Sequence, residues 1–202
     1  MRYMPVFMNL EAKPVLIVGA GQVALRRARQ LIDVGARVTV IAPSIIAEFR
    51  ELAGVELVER PVQIEDVSTD YRLVIVATDN EDVNHMISDE CAQRDILCNR
   101  CDSFAEGSFI CGNTLRRGPV TCATMAGGVP EIAKYLNQKI DALMSPALIE
   151  LESLLVELRP LIKAARPGQV RDVIANLVND ETIARIEREG IDKLREEIMA
   201  CL

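Results

Sequence analysis

The stretch Pro14-Val15-Leu16-Ile17-Val18-Gly19-Ala20-Gly21-Gln22-Val23-Ala24 decides the fold. Val15 to Val18 form a continuous apolar run, as a parallel strand buried on both faces does. They lead into Gly19-x-Gly21-x-x-Ala24, and behind it Ala24, Ala28, Leu31 and Ile32 recur on one helical face. Gly19 allows a sharp turn, Gly21 lets backbone approach a diphosphate, and Ala24 is small enough for helix to pack on strand. The helix start then offers unpaired N–H groups and the positive end of its dipole to phosphates. Strand, glycine turn and helix together predict a dinucleotide-binding unit, with Gly19, Gly21, Gln22, Val23 and Ala24 at the coenzyme.

Working outward, strand and helix patterns alternate to about Asn99. The first helix is expected from Gln22 to about Val34, closed by Gly35. Arg37 to Ala42 is a second strand, then Pro43 turns the chain and Ser44 caps a helix over Ile45 to Ala53. Val55 to Arg60 and Leu73 to Ala77 are further strands. Thr78-Asp79 leads to a helix ending near Gln93, and Ile96 to Asn99 is the next strand. Such winding is a doubly wound α/β parallel sheet of Rossmann type. Its ligand crevice lies at the carboxyl ends of the strands. Gly19 to Val23, Pro43-Ser44 and Thr78-Asp79 should therefore meet there as coenzyme contacts. An acidic residue commonly follows the second strand to hold the ribose hydroxyls. Here Ile41-Ala42-Pro43-Ser44 has no acid, and no adjacent arginine for a 2′-phosphate either. Ser44 and backbone would hold the ribose, with NAD preferred to NADP.

Beyond Asn99 the pattern changes. Ser108 to Cys111 and Val120 to Thr124 read as extended, with Arg116-Arg117-Gly118-Pro119 as a turn between them. A helix is expected from Pro130 to Leu143. The remainder is helical: Pro146 to Leu158, Pro160 to Ala165, Gln169 to Leu177 and Glu181 to Met199. The expected domains are residues 1–112, binding NAD; 113–144, a small α+β dimerisation module; and 145–202, a helical C-terminal domain. The free strand edge and apolar faces of the middle module call for a second copy, hence a homodimer.

Composition limits the partners. Half of the 202 residues are apolar and the formal charge is −7, as for a globular chain with no general affinity for nucleic acid or anionic membranes. Four Phe, three Tyr and no Trp provide little base-stacking surface. No run approaches a membrane span, and the N-terminus lacks a secretory pattern, so a cytoplasmic location is expected. Val6, Phe7 and Met8 are expected to pack inside as a first strand or arm. Cys98-Asn99-Arg100-Cys101 is a CxxC without a second pair, and His85 is the single histidine. Metal knuckles repeat the pair. Reduced core thiols, no metal site and a surface His85 are therefore expected.

Several motifs in one order now add up to a resemblance. They are GAGQVA with Arg26-Arg27, Gly35-Ala36-x-Val38-Thr39-Val40 with Ala42-Pro43, and Ala77-Thr78-Asp79 with Val83-Asn84. Cys98-Asn99-x-x-Asp102 before Ser108-Phe109 follows, then Gly118-Pro119 and Gly127-Gly128. The chain resembles precorrin-2 dehydrogenase, the NAD-dependent module of siroheme synthase, over about its first 140 residues. The resemblance implies a three-part, dimeric enzyme that oxidises the tetrapyrrole precorrin-2 to sirohydrochlorin with NAD, with or without ferrochelation. It places the catalytic carboxylate on Asp102, which as a general base could take a proton released during ring oxidation. Gln22, Val23, Pro43 and Ser44 fall on coenzyme positions, and the methyltransferase half of fused members is expected to be absent. Asn113, Arg116 and Arg117 could meet substrate carboxylates, arginine being a bidentate partner for them. Several relatives carry serine before Gly-Gly, where this chain has Met125-Ala126, so that hydroxyl role does not transfer. Two other readings are an NAD-sensing regulatory subunit without catalysis, and a chelatase that no longer binds coenzyme.

Overall fold

The computed structural model describes residues 3–103 and 105–202. The chain divides into two compact units, Met1–Cys111 and Gly112–Leu202. In the first, strands β1 (Pro14–Val18), β2 (Arg37–Ala42), β3 (Val55–Glu59), β4 (Leu73–Val76) and β5 (Leu97–Arg100) form one parallel sheet. The order β3-β2-β1-β4-β5 reverses at β1, the topological switch beside which such sheets bind ligands. Helix α1 (Gln22–Ile32) covers one face and α2 (Glu81–Gln93) the other. Alternation along the strands divides the core. Val15, Ile17, Val40 and Ile75 pack on the α1 side, while Leu16, Val18, Val74 and Val76 pack on the α2 side.

Three expectations in this unit are corrected. Val6 and Phe7 are 62% and 76% exposed and join no strand. Strand β1 already has β2 and β4 on its two edges, which leaves the N-terminal arm no ladder beside it. The helix expected over Ile45 to Ala53 shrinks to one 3₁₀ turn, Ala47–Phe49, and Ser44 does not cap it. Ile45 and Phe49 both plug into the α1-side core, and Ile46 N–H bonds Ala20 C=O at 3.4 Å. These anchors hold the loop against the sheet and leave room for only a single turn. Ser108 to Cys111 forms no strand. Instead a single antiparallel bridge joins Asn99 to Gly107, and the Ser108 N–H bonds Cys98 C=O at 2.8 Å. The segment covers the open edge of β5 without extending the sheet.

In the second unit, β6 (Asn113–Arg117) and β7 (Val120–Thr124) form an antiparallel hairpin backed by α3 (Pro130–Leu143). The turn is Gly118-Pro119 alone, and Arg116 and Arg117 lie in β6, not at the tip. Gly118 has φ +53°, and proline's fixed negative φ follows it, as a two-residue type II′ hairpin requires. Helices α4 (Pro146–Ala165), α5 (Val170–Leu177), α6 (Asp180–Glu189) and α7 (Ile191–Ala200) share a core along Leu151, Leu154, Leu158 and Ile162 of α4. Two further corrections fall here. Pro160 does not split α4. The carbonyl that its missing N–H leaves unpaired belongs to Val156, which is exposed and can bond water, while the buried seam runs on past it. Conversely, Gly190 with φ +84° separates α6 from α7, where one helix was expected.

Candidate functional site

A cleft of about 830 Å³ opens at the carboxyl ends of β1, β2 and β4. Gly19, Gly21, Gln22, Val23, Pro43, Ser44, Thr78, Asp79 and Asp102 all line it, so three separate loops and the turn after β5 converge as expected. Ala24 is the exception. It does not line the cleft but is fully buried in the α1-side core, where it serves the packing of helix on sheet.

The two glycines have separate jobs. A Cβ on Gly19 would stand 2.3 Å from the Ala77 carbonyl oxygen, and its φ is +105°, so the tight strand-to-helix turn itself needs glycine. Gly21 has φ −87° and an added Cβ would meet nothing within 4 Å. The fold does not require glycine there; the side of Gly21 is open. No side chain caps α1, and its first turn has no acidic residue. Bare N–H groups and an uncompensated dipole end thus border the cleft, and these fit a diphosphate.

Asp102 lies at the rim just beyond β5, in a network that sequence reading missed. Arg100 Nε and Nη2 donate to its two oxygens at 3.0 and 2.6 Å. Asn84 Nδ2 of α2 adds a bond of 2.9 Å, and Asn84 Oδ1 accepts from the Thr78 hydroxyl at 2.5 Å. The Arg100 side chain is 2% exposed and also pairs with Glu106 and bonds His85 Nδ1 at 3.1 Å. The Arg100 bonds, aided by Asn84 and opposed by burial, hold the Asp102 carboxyl well below its usual range, at about 2. Such a carboxylate is a weak base but a fixed negative charge at every physiological pH. A signal was present in the sequence: Arg100 and Asp102 are two apart across a strand end, a spacing that puts both on one side.

His85 is therefore not a plain surface residue, although its side chain is 45% exposed, since it is tied to Arg100 and faces Glu81 and Glu106. Cys98 and Cys101 pack on opposite faces of the sheet, which rules out a shared knuckle. Burial pushes the Cys101 thiol up, so this cleft-lining group is no thiolate. Among the described residues no group of three or more His, Cys, Asp or Glu could hold a metal.

Asn113, Arg116 and Arg117 belong to the second unit. Asn113 C=O accepts from Asn137 Nδ2 at 3.0 Å. Arg117 already spends its fork on Asp141, at 2.8 and 2.9 Å, whereas among the described residues Arg116 makes only a 3.3 Å bond to the Thr121 hydroxyl. A second carboxylate would have to compete for Arg117.

The sheet order, the glycine turn and the open α1 terminus define a dinucleotide-binding protein. Residues 6–113 match the family described as "Putative NAD(P)-binding", and the chain belongs to that family. Siroheme synthase 3 of Aeromonas hydrophila is 33% identical over 99% of this chain and 45% of its own length. The siroheme synthase of Ectopseudomonas mendocina is 35% identical, over 99% and 45% respectively. The chain thus spans about half the length of the curated relatives it matches. The solved structure of SirC, a precorrin-2 dehydrogenase, has the same fold, with a TM-score of 0.79 at 23% identity over 96% of this chain and 100% of that one.

Proposed function

We propose that the chain catalyses NAD-dependent oxidation of precorrin-2 to sirohydrochlorin in siroheme biosynthesis. The carrying observation is the uncapped, acid-free start of α1 in the same cleft as the fixed Asp102 carboxylate. Similarity to siroheme synthases over nearly the whole chain supplies the substrate class. Nothing in those relatives favours a regulatory subunit without catalysis.

The backbone at Gly19, Gly21, Gln22 and Val23 would hold the diphosphate, with Pro43, Ser44, Thr78 and Asp79 along the rest of the coenzyme. Bound there, NAD would supply the two-electron acceptor for a hydride lost from a ring carbon. Loss of hydride leaves positive charge on the macrocycle, and one proton then leaves. The fixed charge of Asp102 would stabilise that cation and accept an N–H bond from the ring. Its low proton affinity makes this role better suited to it than general base catalysis, for which a value near working pH is favoured. Arg100 and Asn84 would position it. Arg116, Asn113 and, if it exchanges partners, Arg117 remain the candidates for substrate carboxylates.

The functional division proposed is residues 1–112 for NAD, 113–144 for dimerisation and 145–202 as the helical domain. On α3, Ile132, Tyr135, Leu136 and Leu143 are 42–74% exposed, and Val129 just before it is 47% exposed. A second copy of the chain would cover them. No helix among the described residues is long and apolar enough to cross a membrane, which accords with a cytoplasmic enzyme. The acidic balance argues against nucleic acid as a partner.

Anaerobic incubation with precorrin-2 and NAD tests the reading through sirohydrochlorin absorbance and NADH formation in equal amounts. Turnover should vanish in Gly21→Asp. Failure of the unaltered protein to oxidise precorrin-2, or full activity in that variant, would sink it.

A further inference from the structure

Strand β2 ends without the acid that commonly reads the ribose, yet the fold ties one from further along the chain to Gln22, a residue of the cleft. The 3₁₀ turn Ala47–Phe49 is pinned by the fully buried Phe49 ring. Its middle residue, Glu48, accepts a 3.0 Å hydrogen bond at Oε1 from Gln22 Nε2, across 26 positions of sequence. Gln22 lines the cleft, as do Ser44 and Ile46 of the same loop. Both partners are exposed, so this bond contributes little to stability. It does leave the second Gln22 N–H and the Gln22 carbonyl at the cleft, with the bonded Glu48 carboxylate beside them. These are groups that recognise hydroxyls. The basic group facing Glu48 is Arg29, whose charge helps to hold the carboxylate ionised, after the backbone and Gln22 bonds.

Resting on the dinucleotide reading above, we propose that Glu48, tethered by Gln22, selects the coenzyme. It binds the unphosphorylated adenosine ribose of NAD and repels the 2′-phosphate of NADP. The selecting acid common at the end of the second strand has moved into the following turn, and Gln22 brings it back to the glycine loop.

Calorimetric titration of the full chain with NAD and with NADP tests this, alongside Glu48→Gln and Gln22→Ala. The unaltered protein should favour NAD by about tenfold or more, the scale of one partly screened charge pair. Glu48→Gln should shrink that ratio about tenfold, chiefly by tightening NADP as the repelling charge is lost, and Gln22→Ala should shift it the same way. Equal affinities in the unaltered protein, or a ratio that Glu48→Gln leaves unmoved, would overturn the selection rule while the dinucleotide site stood. If neither coenzyme bound, both readings would fall together. Glu48 is exposed, so an unchanged melting temperature should accompany the variant.

Discussion

Helices α1 and α2 both start at the carboxyl edge of the sheet, and only α2 is closed by its own residues. The Asn80 side chain accepts from the Val83 N–H at 3.0 Å, and Glu81 and Asp82 occupy the first turn. Capping and dipole compensation are thereby both supplied from within the chain. At α1 neither is supplied; Gly21 stands at the cap position with open space beside it. A chain selected for stability alone would have no reason to treat the two differently. The contrast marks α1 as the end kept for an anion, and α2 as a support whose buried Asn84 steadies Asp102.

The largest test of this contrast separates its glycines. Gly21→Ala should fold normally yet weaken NAD binding on the order of 100-fold by titration, since its methyl enters the diphosphate space. Gly19→Ala should instead lose about 3 kcal/mol or more in urea unfolding, from the clash with the Ala77 carbonyl and the strained φ. Normal NAD affinity in Gly21→Ala would erase the special status of α1. Next in size is Asp102→Asn, which keeps a partner for Asn84 but removes the charge. Turnover should drop roughly 100-fold with NAD affinity retained. Because the folded value of Asp102 is about 2 against an ordinary 3.8, its contribution to stability is present above pH 4 and lost as pH falls towards 2. Acid unfolding of Asp102→Asn should accordingly be flatter across that window.

Smaller effects sharpen the comparison. Asn80→Ala should cost about 1 kcal/mol of stability and leave NAD affinity nearly intact, as only the closed helix loses its cap. Val23→Glu should do the reverse. An acid in the first turn of α1 should stabilise the protein by roughly 0.5 kcal/mol while weakening NAD binding several-fold. If Val23→Glu bound NAD normally, the open dipole end would not be where the coenzyme is held.

Much of this was legible in the chain, because local patterns report local burial. Continuous apolar runs at Val15–Val18 and Leu73–Val76 specify strands covered on both faces, and Gly19 specifies a turn that excludes any other residue. The loop after β2 misled, since Ile45 and Phe49 look helical in spacing but serve as two anchors of a short turn. Pro160 misled too, because the seam of leucines on either side outweighs one absent hydrogen bond.

What sequence determined by itself was the winding of the sheet, the loops that line the cleft and the place of Asp102 at a strand end. These follow from periodicity and from residues whose backbone needs are unique. Only the tertiary structure decided what stands behind that carboxylate and behind Gln22. Arg100, Asn84 and Glu48 reach their partners by folding, across two to twenty-six positions, and composition carries no trace of such pairings. An acid absent from its usual place in the chain can still be tied to the glycine loop by a neighbouring turn, because binding reads position in space and not order along the backbone.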